Sequence, residues 1–132
     1  MEQFELTAEF PAPPEEIYRA WLDSKAHSEM TGSPAEIDPS VGGVFSAWEG
    51  YIMGKTVKLV PGKTIVQEWR TTEFPDGSPS SLVELDLVPY EKGTRMRLIH
   101  GRIPEGQADQ CRRGWEDFYF APMKEYFSNK PS

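Results

Sequence analysis

The sequence of 132 residues contains few groups that form crosslinks or bind metals: one cysteine and two histidines. A single thiol cannot close a disulfide within the chain, and these residues together are fewer than the ligands of a structural zinc site. Disulfide frameworks, thiolate metal cages and multi-histidine sites are therefore excluded by count, and we expect no metal and no cofactor. We interpret Cys111 as a small buried hydrophobic residue on a helix, which fits a reducing compartment.

Long apolar runs and positive charge are also scarce. No run approaches the ~18 to 20 residues that span a bilayer, and the start MEQFELTAEF carries acids where a secretory signal has basic residues. Lys and Arg number 14 against 21 Asp and Glu, and the net charge of −7 repels phosphate backbones. We therefore expect one cytoplasmic domain covering residues 1–132, without membrane insertion and without a nucleic-acid partner.

Aromatic residues are what the chain has in abundance, with 7 Phe, 4 Trp and 5 Tyr. A disordered acidic chain carries far fewer rings, so this chain should fold. Two interpretations of the rings stay open at this point. They fill a hydrophobic core completely, or some of them line a pocket for a ligand, since Trp and Tyr combine a large apolar body with one hydrogen-bonding group.

Periodicity divides the chain into a first strand, two short helices, a long meander and a final helix. Apolar and polar residues alternate over residues 4–10, which predicts a strand with one buried face. Apolar spacing after Pro14 predicts a helix to Ser24, and one or two further helical turns reach Met30. Strands separated by Gly and Pro turns are predicted at residues 44–48, 51–60, 64–70, 81–88 and 94–100.

The last helix is predicted over residues 107–128 and is strongly aromatic. Its apolar stripe is expected to consist of Cys111, Trp115, Phe118, Tyr119 and Tyr126. Pro122 lies inside this helix, and its ring collides with the carbonyl four residues back, which predicts a kink within residues 118–122. The order of elements predicts an α+β fold with the sheet wrapped around the final helix.

Four segments resemble, in order and spacing, one known family: FPAPPEEIYRAW, VGGVFSAWEG, LVPGKTIVQEWR and GRIPEGQADQCRRGWEDFYFAPMKEYF. The family is the C-terminal domain of activators of the ninety-kilodalton heat-shock chaperone's ATPase, in a standalone single-domain form here, and the likeness covers residues 4–127. This family resembles START lipid-transfer domains, birch pollen allergen and polyketide cyclases. The resemblance implies a helix-grip fold: a curved antiparallel sheet of about six or seven strands around a long C-terminal helix, two short helices after the first strand, and a cavity between sheet and helix.

The alternation also places polar groups on the inner face of the sheet. His100 shares parity with Met96 and Leu98, so its imidazole faces inward, where a backbone group or water satisfies it or a ligand meets it. Gln67 shares parity with Trp69, and a buried amide needs a partner, either internal or a ligand, with internal partners favoured. His27 lies beside a helix end, a favourable position for a cation and no indication of a site.

The leading hypothesis is a non-catalytic binding module for an apolar small molecule, held by desolvation and one or two orienting hydrogen bonds. No catalytic residue and no metal ligand is predicted. The residues expected to surround the cavity are Trp21, Gln67, Trp69, Leu85, Met96, Leu98, His100, Trp115 and Tyr119.

A second hypothesis is a co-chaperone-like interaction domain that binds a heat-shock chaperone. Arginines concentrate late in an otherwise acidic chain and could dock on an acidic partner. The residues assigned to this surface are Arg95, Arg97, Arg112 and Arg113. The simpler interpretation is a solvated face in which strand arginines pair with Glu84 and Asp86 on the neighbouring strand.

A third hypothesis, an enzyme of the cyclase or dehydratase type, follows only from the wider resemblance. The sequence offers no acid, base or nucleophile at a useful spacing. His100 is the one candidate for an acid or base in the expected cavity.

Overall fold

The computed structural model describes residues 1–129, in which seven strands form one antiparallel sheet in the order β1-β7-β6-β5-β4-β3-β2. The strands are β1 (Glu2–Phe10), β2 (Ala35–Ile37), β3 (Val44–Ala47), β4 (Ile52–Val60), β5 (Thr64–Thr71), β6 (Ser81–Tyr90) and β7 (Gly93–Ile103). Strands β2 to β7 form a meander, and β1 adds to its far edge beside β7. The predicted meander is confirmed, while β2 was not predicted as a separate strand.

Two short helices follow β1, as predicted: α1 (Pro14–Leu22) and α2 (Ser24–Thr31). Pro14 occupies the first turn of α1, where its missing N–H costs no hydrogen bond. Asp23 begins α2 by accepting a 2.8 Å hydrogen bond from the Ala26 amide, and Gly32 ends it in the left-handed conformation (φ 80°). These helices connect β1 to β2 along the chain, and α1 contacts β6 while α2 contacts β2 and the C-terminal helix.

The inner face of the sheet is the one that the alternation predicted. Leu85 and Leu98 are cross-strand neighbours on β6 and β7, and both are buried. Glu84 and Arg97 lie at the intervening positions and face outward, because successive strand residues point to opposite sides. This face packs against the C-terminal helix, and the α+β helix-grip arrangement is confirmed.

The C-terminal helix is divided into α3 (Ala108–Gly114), a π-helical segment (Trp115–Phe120) and α4 (Ala121–Asn129). The amide of Ala121 donates to the Glu116 carbonyl, five residues back instead of four. This wider turn ends immediately before Pro122, where an α-helix would bring the ring against a carbonyl. The irregularity predicted near Pro122 is therefore a π-helical segment, and it begins earlier than expected, at Trp115.

The extra residue in the π turn changes which side chains face the sheet. Phe118, predicted on the apolar stripe, is 56% exposed, and that part of the prediction is wrong. Cys111 and Tyr126 are only partly buried. The helical residues that enter the core are Trp115, Tyr119, Phe120, Met123 and Phe127. A pattern of 3.6 residues per turn cannot anticipate this rotation, because a π turn takes more residues than an α turn.

Candidate functional site

A cavity of about 640 Å³ lies between the C-terminal helix and the strands at the β3–β4–β5 side of the sheet. Its walls are largely aromatic, and its mouth is polar. The lining residues are Trp48, Tyr51, Ile52, Trp69, Thr71, His100, Gln107, Gln110, Cys111, Arg113, Gly114, Trp115, Asp117, Phe118 and Tyr119. Four of the residues expected around a cavity therefore do line it: Trp69, His100, Trp115 and Tyr119.

The other five expected residues lie in the sealed core behind this wall. Leu85, Met96 and Leu98 are at most 1% exposed and are covered on all sides. Trp21 is 2% exposed and stacks behind the wall, with its ring centroid 6.4 Å from that of Trp69 and 5.9 Å from that of Trp115. Their expected inward orientation is correct, but no surface of theirs faces the cavity in the structure.

Gln67, the fifth of these residues, is held entirely by other side chains. Its Oε1 accepts a 3.1 Å hydrogen bond from Trp21 Nε1, and its Nε2 donates to Thr56 Oγ1 at 3.2 Å. The expectation of internal partners is confirmed. These bonds join α1 to β4 and β5, so the amide stabilises the fold and has no role at the cavity surface.

His100 belongs to a closed chain of hydrogen bonds at the inner end of the cavity. Trp115 Nε1 donates to His100 Nδ1 at 3.0 Å, so the proton of the neutral ring lies on Nε2 and is donated to Ser81 Oγ at 2.7 Å. The Ser81 hydroxyl in turn donates to the Trp69 carbonyl at 2.8 Å. Burial lowers the pKa of His100 to about 3, so the imidazole is neutral at neutral pH.

This arrangement resembles a serine–histidine pair but has the wrong proton distribution for nucleophilic catalysis. The histidine nitrogen that faces Ser81 already carries a proton, and the serine proton is directed at a backbone carbonyl. A general base needs a free lone pair toward the nucleophile. The pair therefore orients the Trp69 and Trp115 walls of the cavity.

His27, predicted beside a helix end in a position favourable for a cation, is buried. It is 3% exposed; its Nδ1 donates to the Trp21 carbonyl at 2.9 Å, and its Nε2 accepts from the Tyr119 hydroxyl at 3.2 Å. Burial lowers the pKa of His27, although the bond to the Trp21 carbonyl acts in the opposite direction. The favourable cation position predicted for His27 is wrong, because the C-terminal helix covers it.

The mouth of the cavity is lined by polar residues that share Glu73 as a partner. The Tyr51 hydroxyl and the Gln110 amide both donate to the Glu73 carboxylate, and Gln107 Nε2 donates to the Glu73 carbonyl at 3.0 Å. Cys111 lies partly buried beside them, and burial raises the pKa of its thiol to about 11. Cys111 is therefore a neutral thiol at physiological pH, as a structural cysteine should be.

Trp48 is the lining residue that sequence reasoning most clearly missed. It lies in the turn between β3 and β4, and both Trp48 and Glu49 adopt left-handed backbone conformations, with φ of 55° and 57°. Its ring packs edge-on against Phe118, at 5.4 Å between centroids. The sequence signal was available: two aromatic residues, Trp48 and Tyr51, flank the predicted Glu49–Gly50 turn.

The arginines do not form one surface. Arg95 pairs with Glu9 at 3.1 Å and Arg97 with Glu5 at 3.2 Å, so the partners lie on β1 and the expected pairing with Glu84 and Asp86 is wrong. Strand β7 has a neighbour on each side, and its salt bridges form with the acids of β1. Asp86 raises the pKa of Glu84 by hydrogen bonding, with burial contributing, and the charge of Arg97 opposes this rise without forming a salt bridge.

The two helical arginines lie on the opposite side of the sheet from the strand arginines. The Arg112 guanidinium lies over the ring of Phe4, 5.0 Å from its centroid. Arg113 lines the cavity instead.

In residues 1–129 no group of three or more His, Cys, Asp or Glu could hold a metal ion, and no helix there is long and apolar enough to cross a membrane.

Comparison with known proteins identifies the family. Residues 11–128 match the family model described as Activator of Hsp90 ATPase homolog 1-like protein. The chain belongs to this family. The human activator of 90 kDa heat shock protein ATPase homolog 1 is 30% identical over 118 residues, which cover 89% of this chain and 35% of the human protein. This member of the family thus spans about a third of the length of that relative, and the resemblance inferred from the sequence is confirmed.

Solved structures of Hsp90-activator-like proteins share the fold. An HSP90 activator from Plasmodium falciparum has a TM-score of 0.89 and 27% identity, covering 97% of each chain. The Aha1 dimer from Colwellia psychrerythraea has a TM-score of 0.82 and 20% identity over the whole of both chains, which shows the fold alone.

Proposed function

We propose that this chain is a non-catalytic binding module that holds an apolar small molecule in the cavity between sheet and C-terminal helix. The observation that supports the proposal is a cavity of about 640 Å³ with six aromatic side chains in its wall. Small-molecule sites typically have such volumes, apolar walls and a few polar groups at defined positions. Affinity then comes from removing the apolar surface of the ligand from water.

The aromatic wall is rigid, which favours binding over mere core filling. Trp69 and Trp115 lie 4.9 Å apart between centroids, and Trp21 stacks behind both. The His100 and Gln67 networks fix these rings from the sealed side, so a ligand finds a wall already in place. A preorganised site loses less conformational entropy on binding than one that must order itself.

Non-catalytic binding is favoured because neither the imidazole nor the thiol at the cavity wall is a free base. His100, the only candidate from the sequence, is neutral and uses both ring nitrogens in hydrogen bonds. Cys111 is a neutral thiol. Proton transfer and nucleophilic attack both require a group with an available lone pair and a suitable pKa.

Native mass spectrometry of the purified chain, followed by tryptophan fluorescence titration with a panel of lipophiles, tests the proposal. We expect a retained ligand or a saturable fluorescence change. Gly114 supplies a blocking variant, because it lines the cavity and a Cβ built on it meets nothing within 4 Å. Gly114→Phe should reduce binding by about tenfold or more, while Gly114→Ala should bind as the wild type does. Absence of any saturable response from all compounds would overturn the proposal.

A second candidate function is interaction with a ninety-kilodalton heat-shock chaperone. The specific observation in its favour is that the Plasmodium falciparum structure, described as an HSP90 activator, covers 97% of both chains. On this hypothesis Arg95 and Arg97, on the outer face of the sheet, contact an acidic surface. Both already pair with β1 acids, so the chaperone must compete with those exposed ion pairs.

The chaperone hypothesis is tested by adding the chain to a purified chaperone from the same cell and measuring ATP hydrolysis and binding. We expect binding to weaken with salt and to fall in the double variant Arg95→Glu, Arg97→Glu. Arg19→Glu is the matched control, because Arg19 is also an exposed, ion-paired arginine but lies on α1. Equal loss in both variants, or no binding at all, would contradict this candidate.

A further inference from the structure

Two of the rings that the C-terminal helix contributes to the cavity wall are each held by a buried histidine. Trp115 Nε1 donates to His100 Nδ1 at 3.0 Å, and the Tyr119 hydroxyl donates to His27 Nε2 at 3.2 Å. Both Trp115 and Tyr119 line the cavity. The same two hydrogen bonds therefore fasten the helix to the rest of the protein and fix the wall of the cavity.

Each imidazole can accept these bonds only while it is neutral. His27 Nδ1 faces the Trp21 carbonyl at 2.9 Å and must carry the proton there, because a carbonyl cannot donate. His100 Nε2 likewise carries the proton that faces Ser81, whose own proton goes to a backbone carbonyl. One lone pair remains on each ring, and it accepts the bond from the helix.

A second proton removes that lone pair. An indole N–H can only donate, so a protonated His100 loses its bond to Trp115 and sets two donors against each other. A protonated His27 forces the Tyr119 hydroxyl to turn its proton away. Both changes would also place a positive charge in the core, which is costly without a compensating partner.

No carboxylate forms a salt bridge with either imidazole among residues 1–129. Around His100 lie the rings of Phe4, Trp69 and Trp115, with centroids 5.5, 6.3 and 6.2 Å from its own. His27 faces one titratable group, the Tyr119 hydroxyl, whose pKa is raised by burial. The other ionisable groups of the surrounding elements are Lys25 and Glu29, exposed on α2, Arg112, which lies over the Phe4 ring, and Cys111, Arg113 and Asp117, which line the cavity.

Burial, not a neighbouring charge, therefore keeps both imidazoles neutral. It lowers the pKa of His100 to about 3 and also lowers the pKa of His27. Moving the helix away exposes the imidazoles to water, where the ordinary pKa of about 6.5 applies. The open form then binds more protons than the closed form, so each pH unit below 6.5 raises the ratio of open to closed protein by up to about tenfold per imidazole.

The sheet has no comparable sensitivity in its own fastenings. Strands β5, β6 and β7 are joined by ladders of backbone hydrogen bonds, and backbone groups do not titrate. Acid therefore weakens the attachment of the C-terminal helix before it weakens the pairing of the strands.

We propose that the C-terminal helix is an acid-released wall of the cavity, and that protonation of His100 and His27 detaches it from the sheet and frees the bound molecule. The release step rests on the proposed binding function and adds the regulation of that site. At neutral pH the two imidazoles hold Trp115 and Tyr119 in the wall. In acid the same imidazoles oppose the helix that they held.

Amide hydrogen exchange followed by NMR between pH 7.5 and 5.5, corrected for the intrinsic exchange rate, tests the opening without any ligand. This range lies above the ordinary carboxyl pKa of about 4.3, so it isolates the imidazoles. The amides of Tyr119 and Met123 should exchange through a more frequent opening than those of Leu85 and Leu98 in the sheet. The open fraction should rise by about tenfold to a hundredfold per pH unit below 6.5. Equal protection of helix and sheet at every pH would overturn the inference, because the helix would then open only by global unfolding.

Two substitutions test the role of the imidazoles. Glutamine carries a donor and an acceptor but does not titrate, so His100→Gln and His27→Gln should each reduce the acid dependence of helix opening by about tenfold per pH unit. Glu29→Gln is the matched control, because Glu29 is an exposed ionisable residue on the same helix as His27. An acid dependence that survives both histidine substitutions would overturn the inference. If a variant fails to fold, the wild-type exchange measurement still decides.

The release step is measured with N-phenyl-1-naphthylamine, a fluorescent lipophile that stays neutral over this pH range. Its dissociation from the wild type should be at least about tenfold faster at pH 5.5 than at pH 7.5. Binding with an unchanged dissociation rate, despite an opening helix, would overturn the link between the helix and the cavity. No binding at any pH would count against the binding function itself, while the exchange measurement still decides whether acid releases the helix.

Discussion

The aromatic core has two sides that use the same residue types differently. On the sealed side, Gln67, His27 and His100 each have every hydrogen-bonding atom of the side chain engaged by protein groups. On the cavity side, Trp48 keeps a buried N–H without a partner, and Phe118 is 56% exposed. Fully satisfied polar groups identify the structural core, and rings that border empty volume identify the candidate site.

The two sides also differ in what a substitution should do. A change on the sealed side removes packing or leaves a partner unpaired, so it should reduce the free energy of unfolding. A change on the cavity side should leave that free energy nearly unaltered and change ligand binding instead. The following expectations examine this division, beginning with the largest.

The strongest contrast is expected between two residues of the C-terminal helix. Met123 is fully buried, and Met123→Ala should lower the free energy of unfolding by about 3 kcal/mol through the cavity that it leaves. Phe118→Ala removes one edge-on contact with Trp48 and should cost about 1 kcal/mol or less. Urea unfolding of both variants measures the difference. Similar costs would show that Phe118 is as much a core residue as Met123.

Gln67→Leu should be nearly as destabilising, by about 2 to 3 kcal/mol. The variant leaves Trp21 Nε1 and Thr56 Oγ1 buried without their partner. Gln110→Leu is the control, because Gln110 is an exposed glutamine at the cavity mouth. Thermal unfolding should show a large decrease in Tm for the first and a small change for the second. A tolerated Gln67→Leu would mean that the amide network adds nothing to stability.

The sealed histidines should make the protein less stable in acid. The pKa of His100 is lowered by burial from about 6.5 in the unfolded chain to about 3, so the unfolded state binds the proton first. The contribution of neutral His100 to the free energy of unfolding is complete above pH 6.5. It is lost as pH falls from 6.5 toward 3, at about 1.4 kcal/mol per pH unit. Burial also lowers the pKa of His27, so this residue adds to the loss of stability in acid.

Urea unfolding at several pH values between 5 and 7.5 measures the slope of the free energy of unfolding against pH. His100→Gln keeps a donor toward Ser81 but does not titrate, so the slope should become smaller by about one proton. His27→Gln should reduce it in the same way. A slope that neither substitution changes would place the acid sensitivity in the carboxylates instead of the buried imidazoles.

The smallest effect on stability is expected at Cys111, where reactivity is the readout. Burial raises the pKa of its thiol to about 11, so alkylation of the folded protein should be slow at pH 8 and should rise about tenfold per pH unit toward pH 10. In the unfolded chain the alkylation rate should level off above the ordinary thiol pKa of about 8.5. Cys111→Ser should leave Tm almost unchanged. Fast alkylation at pH 7 would contradict a partly buried, neutral thiol.

Local patterns predicted the strands and both short helices well. Alternation over β6 and β7 put Leu85, Met96 and Leu98 on the correct face, because strand residues alternate regardless of what packs against them. The helix boundaries at Pro14 and Gly32 follow from backbone chemistry that the residues carry themselves. The family resemblance added the order and wrapping of these elements.

Alternation predicted which side of the sheet a residue faces, but not whether the space beyond it is empty. Leu85 and Trp69 share the inner face, yet only Trp69 borders the cavity. The ion pairs of Arg95 and Arg97 show the same limit, since a central strand offers acids on both neighbours and only geometry selects β1. The burial of His27 could not be predicted from its helix-end position, because its partner Tyr119 lies 92 residues away.

The sequence by itself determined a folded acidic α+β chain, its inner and outer faces, and an irregular helix before Pro122. These properties depend on residues a few positions apart and on backbone sterics. Tertiary structure alone decided that the π turn exposes Phe118, that His27 is sealed, and that Trp48 lines a cavity. Each of these depends on how distant segments meet, and the scarcity of reactive groups in the chain leaves binding as its proposed chemistry.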